Sequence, residues 1–271
     1  MTPQEFTVIA DLARRRAGLV FTADKSYLVE NRVAPLLRRR AMTSPSELIT
    51  ALRGDDGLAA EVVDALVNSE TSFFRDKSPF SLLKDQVLPA LLAQDRVGSI
   101  RIWSAACATG QEPYSVAMTL DRAMVAGGPG FDILATDVSE PCVKAAREGR
   151  YSEFEMRRGL GPLDRTHYFE PDGAAWRARA ALRGKLRCRT FNLLDDPSEL
   201  GAFDIIFCRN VLIYFDTSTR RRVLENVARV LSPAGYLFVG ASETMFAFTD
   251  LFAPMPGAPG VYRPAGRRGA A

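Results

Sequence analysis

Histidine and closely spaced cysteines are scarce in this chain of 271 residues. The chain has 1 histidine, His167, so a catalytic triad or a histidine metal cluster would have to be built around that residue. The 4 cysteines, Cys107, Cys142, Cys188 and Cys208, include no Cys-x-x-Cys pair. This spacing suggests neither a zinc site nor a disulfide framework, and it fits a reducing, cytoplasmic setting.

Membrane and nucleic-acid signals are also missing. No apolar run approaches the roughly 18 residues needed to span a bilayer, and the first residues show no basic region followed by an apolar core. The formal net charge of +3 is small for this length, which argues against wholesale coating of nucleic acid. With 47% hydrophobic and 25% charged residues, the composition predicts an ordinary soluble globular protein with a substantial core.

The sequence pattern of residues 1–75 predicts helices and no strands. Thr2-Pro3 has the chemistry of a helix start, and apolar residues follow at helical spacing until Gly18 stops the helix. A second helix is expected from Asp24 and a third from Ser44. The first quarter of the chain is therefore expected to be all-helical.

From residue 100 onward, strand and helix signals alternate, which predicts an α/β fold with a doubly wound, mostly parallel sheet. Between residues 149 and 186 this alternation lapses, and residues 176–180 and 186–190 alternate with period two, as in a small antiparallel β insertion. The expected domains are a helical N-terminal domain with linker (1–75), an α/β domain (76–264) with the insertion at about 150–190, and a disordered tail (265–271). The expected strands are 100–104, 131–136, 187–191, 203–208 and 236–239, and the expected helices are 112–124, 140–148 and 217–231.

A loop of small residues follows the first predicted strand and ends in Gly110 at a helix start, as in nucleotide-type cofactor loops. A pyrophosphate cradle normally needs three glycines, so NAD and FAD are weakly supported. Glu112 suits an ammonium group, and Asp137, at the end of the second strand, is placed to take two ribose hydroxyls. Together these residues favour S-adenosylmethionine, although an ordinary doubly wound domain with unrelated loops remains the alternative.

An apolar strand-length run at residues 203–208 ends in Arg209-Asn210, and an aromatic residue, Tyr214, follows shortly after. In open α/β sheets the binding crevice lies outside the carboxyl ends of the strands, so these three residues are candidates for ligand contact. The alternative is that Arg209 and Asn210 are loop residues that hydrogen-bond their neighbours, because strand ends also need polar caps.

The motifs described above, taken together in their order along the chain, closely resemble those of the chemotaxis receptor methyltransferase family. Members of this family methylate glutamates on bacterial chemoreceptors. The resemblance covers nearly the whole chain. It implies an S-adenosylmethionine-dependent, Rossmann-like protein-glutamate O-methyltransferase that forms glutamate methyl esters and S-adenosylhomocysteine for sensory adaptation. The matching segments are the helical N-terminal region and residues 71–76, 106–115, 135–137, 191–194, 208–215 and 235–243.

The resemblance also implies roles for single residues. We expect Arg75 and Tyr214 to border the transferred methyl group and to orient the incoming carboxylate. The family usually has asparagine where this chain has Ser69, so either the serine hydroxyl substitutes or a hydrogen bond worth roughly 0.5 to 1.5 kcal/mol is lost. The other implied cofactor contacts are Thr71, Arg75, Glu112, Asp137, Asn192, Leu193, Arg209 and Asn210.

The implied partner is the cytoplasmic signalling domain of a chemoreceptor, without nucleic acid, membrane insertion or metal, and we expect a cytoplasmic monomer. Some family members grip a receptor tether peptide with the β insertion, but the turn at residues 170–175 is short, which favours tether-independent recognition. Two alternatives stay open at this point. The chain could methylate another protein, a small molecule or a nucleic acid, or it could be a non-catalytic module that senses S-adenosylmethionine.

Overall fold

The computed structural model describes residues 1–94, 98–124 and 129–266, which divide into two compact units. The helical unit comprises Met1–Asn68 together with Tyr214–Arg220, and the sheet unit comprises Ser69–Ile213 and the chain from Arg221 onward. Residues 69–75, expected as a linker of the N-terminal region, are thus grouped with the sheet unit. Most of the tail predicted to be disordered, residues 267–271, lies outside the described residues.

Side-chain caps begin most of the helices of the helical unit. The first begins with a capping box between Thr2 and Glu5 and ends at Gly18, whose φ of 71° provides the left-handed conformation of a helix end. The second begins slightly later than expected, because Ala23–Lys25 form a 3₁₀ turn in front of it. The helices are α1 (Pro3–Ala17), α2 (Ser26–Arg39), α3 (Pro45–Ala51) and α4 (Asp56–Leu66).

The main sheet of the second unit has seven strands among the described residues, in the order β6-β2-β1-β7-β8-β10-β9. The first five pair in parallel, and β10 is antiparallel to both of its neighbours, which confirms the predicted mostly parallel sheet. In chain order the strands are β1 (Ile100–Ala105), β2 (Phe131–Asp137), β3 (Arg150–Ser152), β4 (Phe169–Asp172), β5 (Ala175–Ala178), β6 (Leu186–Thr190), β7 (Phe203–Cys208), β8 (Leu231–Phe238), β9 (Phe252–Pro254) and β10 (Val261–Pro264).

Helices flank this sheet, and aromatic and aliphatic residues such as Phe80, Ile205 and Phe207 form the core beneath them. The apolar segment that starts at Ser78 contains a π-helical turn at Leu83–Val87. Pro89 has no N–H to donate to the carbonyl four residues earlier, which accounts for this irregularity. The helices are α5 (Ser78–Leu82), α6 (Leu88–Leu92), α7 (Gln111–Ala123), α8 (Glu140–Glu148), α9 (Glu153–Arg157), α10 (Pro162–Tyr168), α11 (Ala180–Arg183) and α12 (Thr217–Val230).

The antiparallel insertion exists, but one of its predicted strands lies elsewhere. The small sheet has the order β3-β5-β4, so the segment at residues 176–180 does supply a strand to it. The segment at 186–190 does not, because it forms β6 and pairs in parallel with β2 at the edge of the main sheet. Period-two alternation indicates a strand with one exposed face, and an edge strand has such a face whichever sheet it joins.

Across the described ranges, no helix has both the length and the apolar character required to cross a membrane.

Gly159→Ala is expected to lower the free energy of unfolding by about 2 kcal/mol or more. Gly159 has a φ of +94°, and a Cβ there would lie 1.8 Å from the carbonyl oxygen of Phe73, a backbone atom that cannot move away alone. Gly173→Ala is the matched control, since Gly173 has a φ of +63° but the nearest atom would be 4.0 Å from the Cβ. Urea unfolding should give the control a loss of only about 1 kcal/mol. Equal losses would contradict the steric argument.

Candidate functional site

The buried guanidinium of Arg209 lies at the carboxyl end of β7 and joins three parts of the sheet unit. Its side chain is 1% exposed. Nη1 donates to Oε2 of Glu112 at 2.9 Å, and Nη2 donates to the Asp76 carboxylate at 2.8 Å and to the Arg75 carbonyl at 3.2 Å. Nε is buried and has no hydrogen-bond partner in the described part of the chain. Arg209 therefore bonds to residues from distant parts of the chain, and its expected contact with the cofactor stays a prediction.

Glu112 stands in the first turn of α7, where a negative charge interacts favourably with the helix dipole. Oε1 accepts from the hydroxyl of Ser104 at 2.9 Å, and Oε2 accepts from Arg209. Burial raises the pKa of Glu112, and the guanidinium of Arg209 and the Ser104 hydroxyl oppose that rise. Because each carboxylate oxygen has two lone pairs, Glu112 retains acceptor capacity for a further cation.

The loop between β1 and α7 is held in an unusual conformation by Asp137. Ala106, Ala108 and Gly110 have positive φ values of 59°, 47° and 99°. The Asp137 carboxylate, on a residue only 5% exposed, accepts from the backbone N–H of Ala108 at 2.9 Å and of Ser139 at 3.0 Å. Any residue with a Cβ is strained in the left-handed region, so Ala106 and Ala108 keep these conformations because their surroundings enforce them.

The loop after β7 is built around a carboxylate for which the sequence predicts no role. Glu243 is 7% exposed, and its oxygens accept from the backbone N–H of Asn210, Val211 and Leu212 at 2.8, 2.9 and 2.7 Å. A fourth bond comes from the N–H of Gly240 at 2.6 Å. Asn210 itself has a φ of 59°. The sequence places Glu243 at the end of the matching segment 235–243 but gives no sign of what its carboxylate does.

Asn192 and Leu193 follow β6. The Asn192 side-chain oxygen accepts from the N–H of Leu194 at 3.1 Å, which makes a local turn of the kind asparagine favours. Leu193 is buried, and its carbonyl accepts from Asn226 on α12 at 3.0 Å. Both residues are thereby fixed in the connection that leads from β6 to β7.

Arg75 lies on the segment that precedes α5. Its Nη1 donates to the carbonyl of Glu70 at 3.1 Å, and the residue is half-buried. Ser69 is exposed and Thr71 is half-buried. Arg75 contacts Arg209 through its backbone, because the Arg75 carbonyl accepts from the guanidinium of Arg209.

Tyr214 belongs to the helical unit, at the end of the 3₁₀ turn Leu212–Tyr214. Its hydroxyl accepts from the Asn68 side chain at 2.5 Å, and its carbonyl accepts from the N–H of Val20 at 2.9 Å. Its expected place beside the methyl group remains a prediction.

The structure thus joins Glu112, Arg209 and the Arg75 carbonyl in one hydrogen-bonded group. Other predicted residues lie beyond the carboxyl ends of parallel strands, which meet at one edge of the sheet. Within the described ranges, no group of three or more His, Cys, Asp or Glu residues could hold a metal ion. The residues at the strand ends are Asp137 on β2, Asn192 and Leu193 after β6, and Asn210 after β7.

Two family models match the sequence. The CheR methyltransferase all-alpha domain matches residues 4–67, and the CheR methyltransferase SAM-binding domain matches residues 69–261. Among similar proteins, Chemotaxis protein methyltransferase 1 of Pseudomonas aeruginosa is 38% identical over 263 residues, which cover 95% of this chain and 96% of that protein. Chemotaxis protein methyltransferase 1 of Vibrio cholerae is 39% identical over 269 residues, with 96% of both chains covered.

Glu243→Gln is expected to lower the free energy of unfolding by about 1 to 3 kcal/mol, because an amide NH₂ group would face backbone donors that it cannot satisfy. Glu225→Gln is the control: its carboxylate is 48% exposed and pairs with Arg221 one helical turn away, so a loss below about 0.5 kcal/mol is expected. Urea denaturation measures both. A Glu243→Gln variant as stable as the control would show that the four backbone bonds contribute little.

Proposed function

Because this chain belongs to the CheR methyltransferase family, we propose that it methylates glutamate side chains of chemoreceptors, with S-adenosylmethionine as the methyl donor. The products are glutamate methyl esters and S-adenosylhomocysteine. The observation that carries the proposal is the buried Glu112–Arg209 pair at the carboxyl edge of the sheet, inside the segment that matches the SAM-binding domain. We place the enzyme in the cytoplasm, as a monomer, with the signalling domain of the receptor as its partner.

The chemistry of the buried acids fits S-adenosylmethionine. This cofactor carries an ammonium and a sulfonium charge and no phosphate, so buried carboxylates suit it better than they suit a dinucleotide. In our proposal Glu112 accepts from the ammonium group, and Asp137, which also accepts from the N–H groups of Ala108 and Ser139, accepts from ribose hydroxyls. Asn210 and the Asn192-Leu193 pair bound the same edge of the sheet. Ser69 and Thr71 complete the proposed contacts, with the serine hydroxyl in place of the family's usual amide.

The protein needs no general base for this reaction. A glutamate carboxylate is already ionised at pH 7, since its ordinary pKa is near ~4.3. When bound, S-adenosylmethionine supplies the methyl group: a carboxylate oxygen forms the new C–O bond, and the C–S bond breaks with its electron pair kept by sulfur. The task of the protein is to hold the reacting atoms in line and to exclude water, and alignment of this kind can supply about 7 to 11 kcal/mol.

We assign orientation of the incoming carboxylate to Arg75 and Tyr214. A guanidinium has five N–H donors in a planar fork, and the hydrogen bond to the Glu70 carbonyl uses one of them. A fork of this kind can receive a carboxylate through two parallel hydrogen bonds. The phenol of Tyr214 would offer a single donor. Recognition of the receptor without a tether peptide remains part of the proposal, because β4 and β5 are joined by a short turn at Gly173.

The proposed function is tested by incubating the protein with tritiated S-adenosylmethionine and cytoplasmic receptor fragments, then measuring methanol released by base. Base-labile methanol identifies methyl esters and is expected only from glutamate methylation. Label that resists base would indicate another acceptor, and cofactor binding without transfer would indicate a sensing module. Arg75→Ala and Tyr214→Phe are expected to lower turnover more than cofactor affinity. Unchanged turnover with weaker cofactor binding would assign both residues to the cofactor instead.

As the pH is lowered, cofactor affinity is expected to begin to fall at a higher pH than it would if Glu112 had the pKa of an ordinary glutamate. Burial raises the pKa of Glu112 above that of an ordinary glutamate, so the carboxylate that receives the ammonium is lost as pH falls through that raised pKa. Between the pKa of Glu112 in the unfolded chain and its higher pKa in the folded protein, the folded protein binds more protons than the unfolded chain. The contribution of Glu112 to the free energy of unfolding therefore decreases as pH rises through this range.

Calorimetry of S-adenosylmethionine binding between pH 5 and pH 8, in buffers of different ionisation enthalpy, measures the effect. Proton release on binding is expected at the acidic end of the range. Glu112→Gln should bind more weakly and show no such pH dependence. An identical pH profile in the variant would rule out Glu112 as its cause.

A further inference from the structure

A cationic pocket of about 260 Å³ opens in the sheet unit. Lys77, Lys84 and Arg122 line it together with one acidic residue, Asp164. Phe74 and Phe80 supply an aromatic part of the lining. Their rings pack edge to face, with the ring centroids 5.2 Å apart. The pocket therefore combines positively charged side chains with an apolar surface. It is separate from the residues assigned to the cofactor.

The charges in the pocket are not balanced. Arg122 forms an ion pair with Asp164, so the acidic residue compensates the charge of Arg122. Lys84 lies 3.4 Å from its sequence neighbour Asp85, but both side chains are about 60% exposed, so this pair is weak. Lys77 is exposed, and its ammonium has no hydrogen bond or ion pair to any residue of the described ranges. An anionic group entering the pocket would thus meet at least one uncompensated ammonium.

The pocket is held close to Arg75 by the backbone. Lys77 follows Arg75 by two residues, so their Cα atoms lie within about 7.6 Å of each other. The connecting segment has little freedom, because Phe74, Asp76 and Lys77 have positive φ values of 49°, 67° and 49°. The guanidinium of Arg209 also holds both the Asp76 carboxylate and the Arg75 carbonyl. The spacing between the pocket and Arg75 is therefore defined by a constrained loop.

We propose that this pocket binds a second carboxylate side chain of the protein substrate while Arg75 orients the one that is methylated. The inference rests on the proposed function, because it needs a substrate that presents carboxylates. Lys77 and Lys84 supply the charge, and the aromatic surface accommodates the methylene groups of an aspartate or glutamate stem. On a helical substrate, with a rise of about 5.4 Å per turn, the second acid lies one or two turns from the methylated glutamate.

Charge reversal of the two lysines tests the assignment. Lys77→Glu and Lys84→Glu, separately and together, are compared with Lys144→Glu, which makes the same charge change at an exposed position of α8. The Michaelis constant for receptor fragments is expected to rise about 5-fold in each single variant and about 10-fold or more in the double variant. Turnover at saturation and the Kd of S-adenosylmethionine should change less than about 2-fold.

The control should also stay within about 2-fold of the unmodified protein, and added salt should raise the Michaelis constant of that protein more than that of the double variant. An unchanged Michaelis constant in the double variant, or an equal rise in Lys144→Glu, overturns the proposal.

A complementary change in the substrate makes the test more specific. Acidic residues one or two helical turns from the methylated glutamate of the receptor fragment are replaced by lysine, one at a time. At one such position the lysine should lower the Michaelis constant of the double variant and raise that of the unmodified protein. If no position does so, the pocket does not bind a substrate carboxylate. If the unmodified protein methylates no receptor fragment at all, the proposed function fails first, and the assignment of the pocket fails with it.

Discussion

A buried positive charge with two carboxylate partners supports the carboxyl edge of the sheet. Removing one partner from a buried ion pair typically costs about 3 to 5 kcal/mol. That magnitude applies to Glu112, whose side chain is 12% exposed, rather than to Asp76, whose side chain is 42% exposed. Arg209 directly follows β7, Glu112 lies on α7 and Asp76 on the loop before α5, so the charge balance holds three separate segments in one arrangement. The guanidinium therefore has a structural task whatever it contributes to the cofactor.

Three buried acids at this edge have different surroundings and so different capacities. Glu243 and Asp137 accept from backbone N–H groups, and they shape the loops after β7 and β1. Glu112 instead accepts from a cation and a hydroxyl, and burial raises its pKa. The carboxylates of Glu243 and Asp137 are occupied by the backbone of the loops that they shape, whereas Glu112 keeps acceptor capacity beside Arg209 and Ser104. This difference favours Glu112 as the acid that receives the ammonium group in the proposed function.

Backbone strain is concentrated in the same region. Ala106, Ala108 and Asn210 have positive φ values, as do Phe74 and Asp76 beside Arg75. Residues in such conformations cost of order 1 to 3 kcal/mol each and persist only where their surroundings enforce them. Here the enforcing contacts are the carboxylates of Asp137 and Glu243, together with the hydroxyl of Ser115, which accepts from the N–H of Phe74. Placing backbone close to a ligand is the function that such loops commonly serve.

The amino-acid sequence alone determined the helical first quarter of the chain and the mostly parallel sheet, because hydrophobic periodicity and capping residues act over a few positions. It also indicated polar residues at strand ends, Asp137 and Arg209, and an acidic residue at a helix start, Glu112. Tertiary structure alone decided that residues 186–190 join the main sheet and that Arg209 pairs with Asp76. It also placed Glu243 under the loop after β7. These partners lie from about 30 to more than 130 residues apart in the chain, and local patterns carry no information on which distant segments will meet.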